Sequence, residues 1–341
     1  MGGLGSRHPG IEIFAEAGPA VGLGHLRRME FLGGLVKEEL RANVRGYVLS
    51  AGGETDHFAS TEFEILTTRR HLCQQVQADS EQGKLVVLDL KWSGFSERYI
   101  EELIGDSIPQ RRFLFVDGPE VELRGSPTRL FPTFAVSNDL RQQSNVIFGP
   151  RYIFAARGGS LSGSDSCLVL TGSTAHDSFT DQVNRIASDS RLSDMSFSWG
   201  IGPFLGESQI QTKLAPNVSA QAFPKVEDVL GDFSIALCRF GVSATETISR
   251  GVPTVILPGW KSSEDHSVIE IERLGLALVA RSESEATDWL SQLRIDSSLR
   301  MSMHRRAREI FQPDLRHPAI DVIEEIIEEM EQCLSHIQLG T

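Results

Sequence analysis

Cysteine is scarce: Cys73, Cys167, Cys238 and Cys333 are the only four in 341 residues. None shares a CxxC spacing, which argues against a zinc site and against a disulfide frame. Long apolar runs are missing as well. No stretch stays apolar for about 18 residues, so no membrane span is expected. The N-terminus has no charged-then-apolar signal pattern, and the expected compartment is the cytoplasm. Positive charge is in deficit, with 33 Lys and Arg against 46 Asp and Glu and a net charge of −13. An acidic surface repels phosphate backbones and anionic lipid, so neither nucleic acid nor membrane is an expected partner, although a local basic patch in a cleft is still allowed. HExxH, GxSxG and GxxxxGK[ST] are absent, which removes support for zinc proteases, α/β-hydrolases and P-loop kinases.

What is present is alternation. Short apolar runs predict strands at Ile11–Ala15, Gly46–Ser50, Phe63–Leu66, Lys84–Leu90, Arg112–Val116 and Asn145–Phe148. Helices are expected from about Gly24 and over Ser96–Leu103. Gly158–Ser166 is polar and glycine-rich, the composition of a linker or exposed loop. The pattern then restarts. Strands are expected at Cys167–Leu170, Met195–Trp199, Val218–Phe223, Ser234–Cys238 and Thr254–Leu257, with helices up to about Ala187 and over Ala244–Ser249 and Ser267–Leu274. In Asp321–Ile337, Ile323, Ile326, Ile327, Met330 and Leu334 form one apolar stripe opposite Glu324, Glu325, Glu328 and Glu329, which predicts a helix. Strands alternating with helices predict an α/β protein with parallel sheets covered on both faces. The restart near residue 160 predicts two such domains, residues 1–157 and 158–317.

Two strand–turn–helix segments carry candidate chemistry. In the first, Gly22, Leu23, Gly24, His25 and Arg28 follow the first strand and open a helix. The glycines let the backbone approach a ligand closely, and free N–H groups at a helix start can hold an anion. Arg27 stands where a third glycine would complete GxGxxG, so the dinucleotide fingerprint fails. His25 can exchange a proton near neutrality, and Arg28, three residues on along the same face, can hold phosphate or a carboxylate. A surface histidine on an ordinary turn fits the spacing equally well. In the second, Ser234–Cys238 runs into Gly241, Ser243, Ala244, Thr245 and Glu246. That backbone suits a diphosphate, the Thr245 hydroxyl can add to it, and Glu246 suits vicinal ribose hydroxyls or else complements the helix dipole. Gly172 and Ser173 form a third turn of this kind, and His266 stands in a polar loop, Gly259–His266, after a strand. Asp89 and Asp117 each end a strand, where a carboxylate orients sugar hydroxyls or caps a helix.

Taken together these segments resemble the GT-B superfamily. Gly22-Leu23-Gly24-His25-Leu26-Arg27-Arg28 is similar to the GxGHxxR turn of nucleotide-sugar hydrolases of the pseudaminic-acid pathway and their spore-coat-polysaccharide relatives. Gly149-Pro150-Arg151-Tyr152 resembles that family's inter-domain Gly-Pro-x-Tyr, and Asp232-Phe233-Ser234-Ile235-Ala236 through Glu246, followed by Gly251-Val252-Pro253, resembles its second-domain turn. The same turn resembles the N-acetylglucosaminyltransferase of peptidoglycan synthesis. Asp89-Leu90-Lys91 stands where the family has Asp-x-Tyr. The resemblance implies two Rossmann-like domains facing a central cleft, a last helix (residues 318–340) that returns to the first domain, and a monomer. It implies no cofactor and no metal. It places His25 as the base, with Gly22, Leu23, Gly24, Arg28, Asp89, Lys91, Asp117, Tyr152 and His266 toward the sugar. Gly172, Ser173, Phe223, Gly241, Ser243, Ala244, Thr245 and Glu246 would then hold the nucleotide. The first reading is a hydrolase that releases UDP, or another nucleoside diphosphate, from an activated amino or deoxy sugar. The alternative is a glycosyltransferase in which His25 deprotonates an acceptor hydroxyl. A non-catalytic sugar-nucleotide sensor and an epimerase are further possibilities.

Overall fold

The computed structural model describes residues 9–339 apart from 51–60, 106–111, 120–122, 124–125, 164, 173–176, 203, 205–213, 224 and 261–263. The chain divides into two units, Met1–Phe154 with Arg316–Thr341, and Ala155–Leu315.

The first unit runs β1 (Ile11–Ala17), α1 (Gly24–Leu40), β2 (Val44–Ser50), β3 (Glu64–Leu66), α2 (Arg69–Glu81), β4 (Leu85–Asp89), α3 (Glu97–Ile104), β5 (Phe113–Val116), β6 (Thr128–Phe131), α4 (Asn138–Arg141) and β7 (Val146–Phe148). Its seven strands pair in the order β3-β2-β1-β4-β5-β6-β7, all parallel. The chain winds outward from β1 through β2 to β3, then returns to start β4 on the other side of β1. The carboxyl ends of β1 and β4 therefore border the point where strand order reverses, the usual ligand crevice of open α/β sheets.

The second unit repeats this plan with β8 (Ser166–Leu170), α5 (Asp177–Ala187), β9 (Ser196–Gly200), β10 (Val218–Gln221), β11 (Ile235–Cys238), α6 (Val242–Ser249), β12 (Thr254–Ile256), α7 (Asp265–Arg273), β13 (Ala277–Val279), α8 (Glu283–Ile295) and α9 (Ser297–Phe311). Its six strands pair in parallel in the order β10-β9-β8-β11-β12-β13, with the reversal between β8 and β11. The expectation of two parallel-sheet α/β domains is met.

The long last helix, α10 (Pro318–Leu339), belongs to the first unit. Its stripe of Ile323, Ile326, Ile327 and Met330 is buried. His317 anchors its start: Nδ1 accepts from the Ala319 N–H at 3.2 Å, which leaves Nε2 to donate to the Ile153 carbonyl at 3.1 Å. The polar stretch after residue 157 is irregular, and its first residues pack within the second unit, Gly158 N–H donating to the Ser249 carbonyl at 3.0 Å.

β1 is buried along its whole length despite containing two glutamates. Alternation puts Glu12, Phe14 and Glu16 on one face. Phe14 stacks on Tyr47 with ring centroids 4.7 Å apart. Glu12, at the amino end, meets Lys84 at 2.8 Å, and Lys84 also meets the buried Asp79 at 2.6 Å. Burial raises the Glu12 carboxyl above its ordinary range, and Asp79 adds to the shift against the opposing pull of Lys84. The neutral form thus suits the folded state better than the charged one. As pH rises from the unfolded value, near 4.3 for a free glutamate, through the higher folded value, the native state loses stability. Glu12→Gln should therefore be more stable than wild type at pH 8 and equal to it near pH 4, read from urea midpoints at unchanged slope. A less stable variant at pH 8 would mean the Lys84 pair outweighs the burial penalty.

Candidate active site

Residues Gly18–Gly22 form a closed loop at the carboxyl end of β1. Gly22 N–H donates to the Gly18 carbonyl at 2.7 Å and Gly18 N–H returns to Gly22 at 3.2 Å. Gly22 has φ of +88°, a conformation that glycine adopts without strain. Leu23 then precedes α1 without any side-chain cap, and no acidic residue occupies the first turn. The N–H groups of Gly24, His25 and Leu26 thus open the helix toward the carboxyl edge of the sheet.

His25 projects from that first turn onto Asp89, the last residue of β4, with Nδ1 2.6 Å from Asp89 Oδ1. Register places Asp89 beside Ala15 of β1, and its carboxylate is fully buried. Arg28 comes one turn later and grips the same carboxylate with Nε at 3.0 Å and Nη2 at 2.8 Å. Its Nη1 reaches Asp117 at 3.0 Å, at the carboxyl end of β5. Burial alone would weaken the protonated guanidinium, but Asp89 and Asp117 outweigh burial and hold it more firmly charged than usual. Of the two partners open to Arg28, carboxylate is the one it takes.

Arg28 Nη2 also lies 3.0 Å from His25 Nδ1. Both contacts cannot be hydrogen bonds to one lone pair. A guanidinium only donates and an ionised carboxylate only accepts, so the shorter contact fixes a proton on Nδ1 pointing at Asp89. In the neutral imidazole that tautomer makes His25 Nε2 the acceptor. It has no hydrogen-bond partner among the described residues, and the side chain keeps 17% of its surface exposed.

Lys91 has a different task. Its N–H donates to the buried Glu16 carboxylate at 2.9 Å, and its Nζ donates to the Ala20 carbonyl at 2.9 Å. It clamps the glycine loop from the β4 side. Tyr152 is buried in a short turn after β7, where its hydroxyl accepts from Arg151 at 3.2 Å. β7 lies three strands beyond β4, about 14 Å away at ordinary strand spacing, so the sheet does not bring Tyr152 to the His25 group.

In the second unit three glycines with positive φ follow neighbouring strands: Gly172 (+94°) after β8, Gly241 (+145°) after β11 and Gly259 (+102°) after β12. A Cβ on any of them would meet no atom of the described residues within 4 Å. Gly241 leads into α6 with no side-chain cap and no acidic residue in the first turn. Ser243 is half-buried and Ala244 buried. Thr245 donates its hydroxyl to the Val242 carbonyl at 2.7 Å, so its proton is committed within the helix. Glu246 stands in the second turn, beyond the range where a carboxylate gains most from the helix dipole. Phe223 lies past the end of β10, its ring against Gly200, where an added Cβ would be 3.1 Å from it. Ser173 lies outside the described residues. His266, expected in a loop, is the second residue of α7 and exposed, because the helix begins two residues earlier than expected, with Asp265 in its first turn. Gly259 was not among the expected site residues. Its signal was its place just after a buried strand.

Most helices with described caps differ from α1 and α6. Thr68, Ser96, Ser137, Ser282 and Asp296 cap α2, α3, α4, α8 and α9 with side-chain oxygens. α7 has no side-chain cap but carries Asp265 in its first turn. Among the helices whose caps are described, α1 and α6, beside the two strand-order reversals, are the ones with neither.

No protein-family model matches the chain, and no curated protein matches it. Solved structures do. The calicheamicin glycosyltransferase CalG4 is 16% identical, covering 94% of this chain and 98% of its own, with a TM-score of 0.57. The spinosyn forosaminyltransferase SpnP is 12% identical over 94% of this chain and 100% of its own, at 0.62. UGT2 of Phytolacca americana, solved with UDP-2-fluoro-glucose and pterostilbene, is 13% identical over 95% of this chain and 100% of its own, at 0.58. The fold is GT-B. At such identities the likeness carries the architecture, and the GT-B plan accounts for two successive units, each with its own strand-order reversal and glycine turns.

Within this GT-B chain the Asp89–Arg28 contact should be a stability determinant. Arg28→Met strands a buried carboxylate and should cost about 3 kcal/mol in urea denaturation. Adding Asp89→Asn should recover part of that loss. A double variant as unstable as the sum of the two singles would show that the contact contributes nothing.

Proposed function

We propose that the chain is a glycosyltransferase that moves a sugar from a nucleoside diphosphate donor to a hydroxyl acceptor, with His25 as the base. The observation that carries this reading is the 2.6 Å contact of His25 Nδ1 with buried Asp89, which leaves Nε2 as an acceptor without a partner among the described residues. In the step, Nε2 takes the acceptor's proton as its oxygen bonds to the anomeric carbon. The bond from that carbon to the diphosphate breaks, and the nucleoside diphosphate leaves. Asp89 holds the tautomer and balances the imidazolium as it forms, in the manner of an orienting carboxylate. Gly24 supplies a backbone donor near the sugar at the uncapped start of α1, and Asp117 is the exposed carboxylate for its hydroxyls.

The nucleotide belongs to the second unit. The open turns at Gly172 and Gly241 and the N–H groups of Ser243 and Ala244 suit a diphosphate, Glu246 suits the ribose diol, and Phe223 offers a face to the base. Several structural neighbours are glycosyltransferases, VinC among them in complex with dTDP. They support transfer over hydrolysis. The hydrolase reading keeps one argument, the GxGHxxR turn, and differs only in that water replaces the acceptor.

A panel of UDP- and dTDP-sugars followed by NMR separates the readings. Nucleoside diphosphate release that requires an acceptor supports transfer, release without one supports hydrolysis, and binding without turnover leaves a sensor. His25→Ala should lower kcat about 10²- to 10⁴-fold with nucleotide affinity unchanged. Loss of nucleotide affinity with normal residual turnover would remove His25 from the role. Glu246→Ala should weaken nucleotide binding by about 1–3 kcal/mol, by stranding ribose donors. Unchanged affinity would reject that contact.

A further inference from the structure

Arg239 is the first residue after β11 and formed no part of the expected site. Its N–H donates to the carbonyl of Leu170, the last residue of β8, at 2.9 Å. That bond fixes Arg239 at the strand-order reversal, two residues before Gly241 and level with the strand end that leads into Gly172. Its guanidinium carbon lies 5.1 Å from the centroid of the Phe179 ring, on the helix that follows the Gly172 turn. The side chain therefore leans from one glycine turn toward the element that begins after the other.

A phenyl ring attracts the cation through its face but takes none of the guanidinium's in-plane N–H donors. Among the described residues no carboxylate or carbonyl accepts from those donors. The chain carries 13 more acidic than basic side chains, so carboxylate partners are abundant elsewhere. Arg185, Arg191, Arg273 and Arg281 each have one within 3 Å. Arg239 is half-buried, set on a rigid strand end and steadied by an aromatic face.

We propose that Arg239 is the residue that grips the diphosphate of the donor, its forked N–H groups bridging oxygens of the two phosphates as the leaving group gains charge. This rests on the reading that the second unit holds a nucleoside diphosphate. It adds to that reading a specific cation, beside glycine turns that supply only backbone dipoles. Planar, two-point recognition of phosphate oxygens is the geometry for which arginine differs most from lysine.

Calorimetric titration of the full chain tests this with three probes: UDP or dTDP, the matching nucleoside, and inorganic pyrophosphate. Arg239→Gln should lower affinity for the nucleoside diphosphate and for pyrophosphate about 10- to 100-fold, while nucleoside affinity stays as in wild type. Arg239→Lys, which keeps the charge and stays foldable if the glutamine variant does not, should lose less, again without effect on the nucleoside. Equal diphosphate affinity in wild type and Arg239→Gln, or in wild type and Arg239→Lys, overturns the grip while leaving nucleotide binding by the unit intact. An equal loss for nucleoside and diphosphate also overturns it, since that pattern belongs to a structural arginine. Wild-type protein that binds none of the three probes removes the nucleotide reading itself, and the role of Arg239 falls with it.

Discussion

A carboxylate with no solvent contact, Asp89, is the constraint on which the first unit's site depends. Buried charge is tolerated only when paired and hydrogen-bonded. Here Arg28 provides the countercharge with two N–H groups and His25 provides a third donor. Three consequences follow from one group. The arginine ties the start of α1 to the ends of β4 and β5. The imidazole is held in a single tautomer. Its other nitrogen is left without a hydrogen-bond partner among the described residues. None of these holds if Asp89 is neutral or displaced, so the reactive geometry and the stability of the sheet edge rest on the same contacts.

The second unit answers a different electrostatic demand with the same topology. Where the first reversal presents a titratable side chain braced by charge, the second presents backbone. Among the described residues, positive-φ glycines with no atom within 4 Å of an added Cβ, an uncapped α6 and an arginine without a carboxylate neighbour leave a positive edge on an acidic chain. An edge of that kind suits the diphosphate of the donor in the proposed reaction.

Much of this was legible in the sequence because buried parallel strands are short apolar runs between glycine and aspartate. β1, β4, β5, β8, β11 and β12 read directly, and so did the helix starts after the glycine turns. α2, α8 and α9 did not. The buried face of α2 includes Asp79 and Ser80, and α9 buries only Met303, Ala307 and Phe311, one residue per turn, so neither shows a broad apolar stripe. β6 was hidden by the buried Arg129, and β13 by its length of three residues. At the site, His25 and Arg28 were readable from local spacing. The partner they share lies 64 residues from His25, and only the return of the chain from β3 to β4 beside β1 brings it there. Arg239 escaped notice because nothing local distinguishes an arginine steadied on an aromatic face from a solvated one; the absence of a carboxylate partner among the described residues is a property of the fold.

Lys91 marks where this chain departs from the hydrolases that its first turn resembles. Where that family has a tyrosine two residues after the strand-end aspartate, this chain has a lysine whose ammonium bonds the Ala20 carbonyl and whose N–H bonds Glu16. The position fastens the glycine loop instead of presenting a ring to the ligand. A loop closed on itself by Gly18 and Gly22 and clamped by Lys91 holds the N–H groups of α1 and His25 Nε2 in fixed relation. Fixed geometry favours an acceptor that arrives with its own shape and binding energy. A water molecule has neither, and to be a competent nucleophile it needs further polar groups to orient it. Asp89 and Arg28, the polar side chains that touch His25, are tied to each other, and Lys91 is tied to the loop. For the proposed reaction these engagements favour an oriented hydroxyl acceptor over an oriented water.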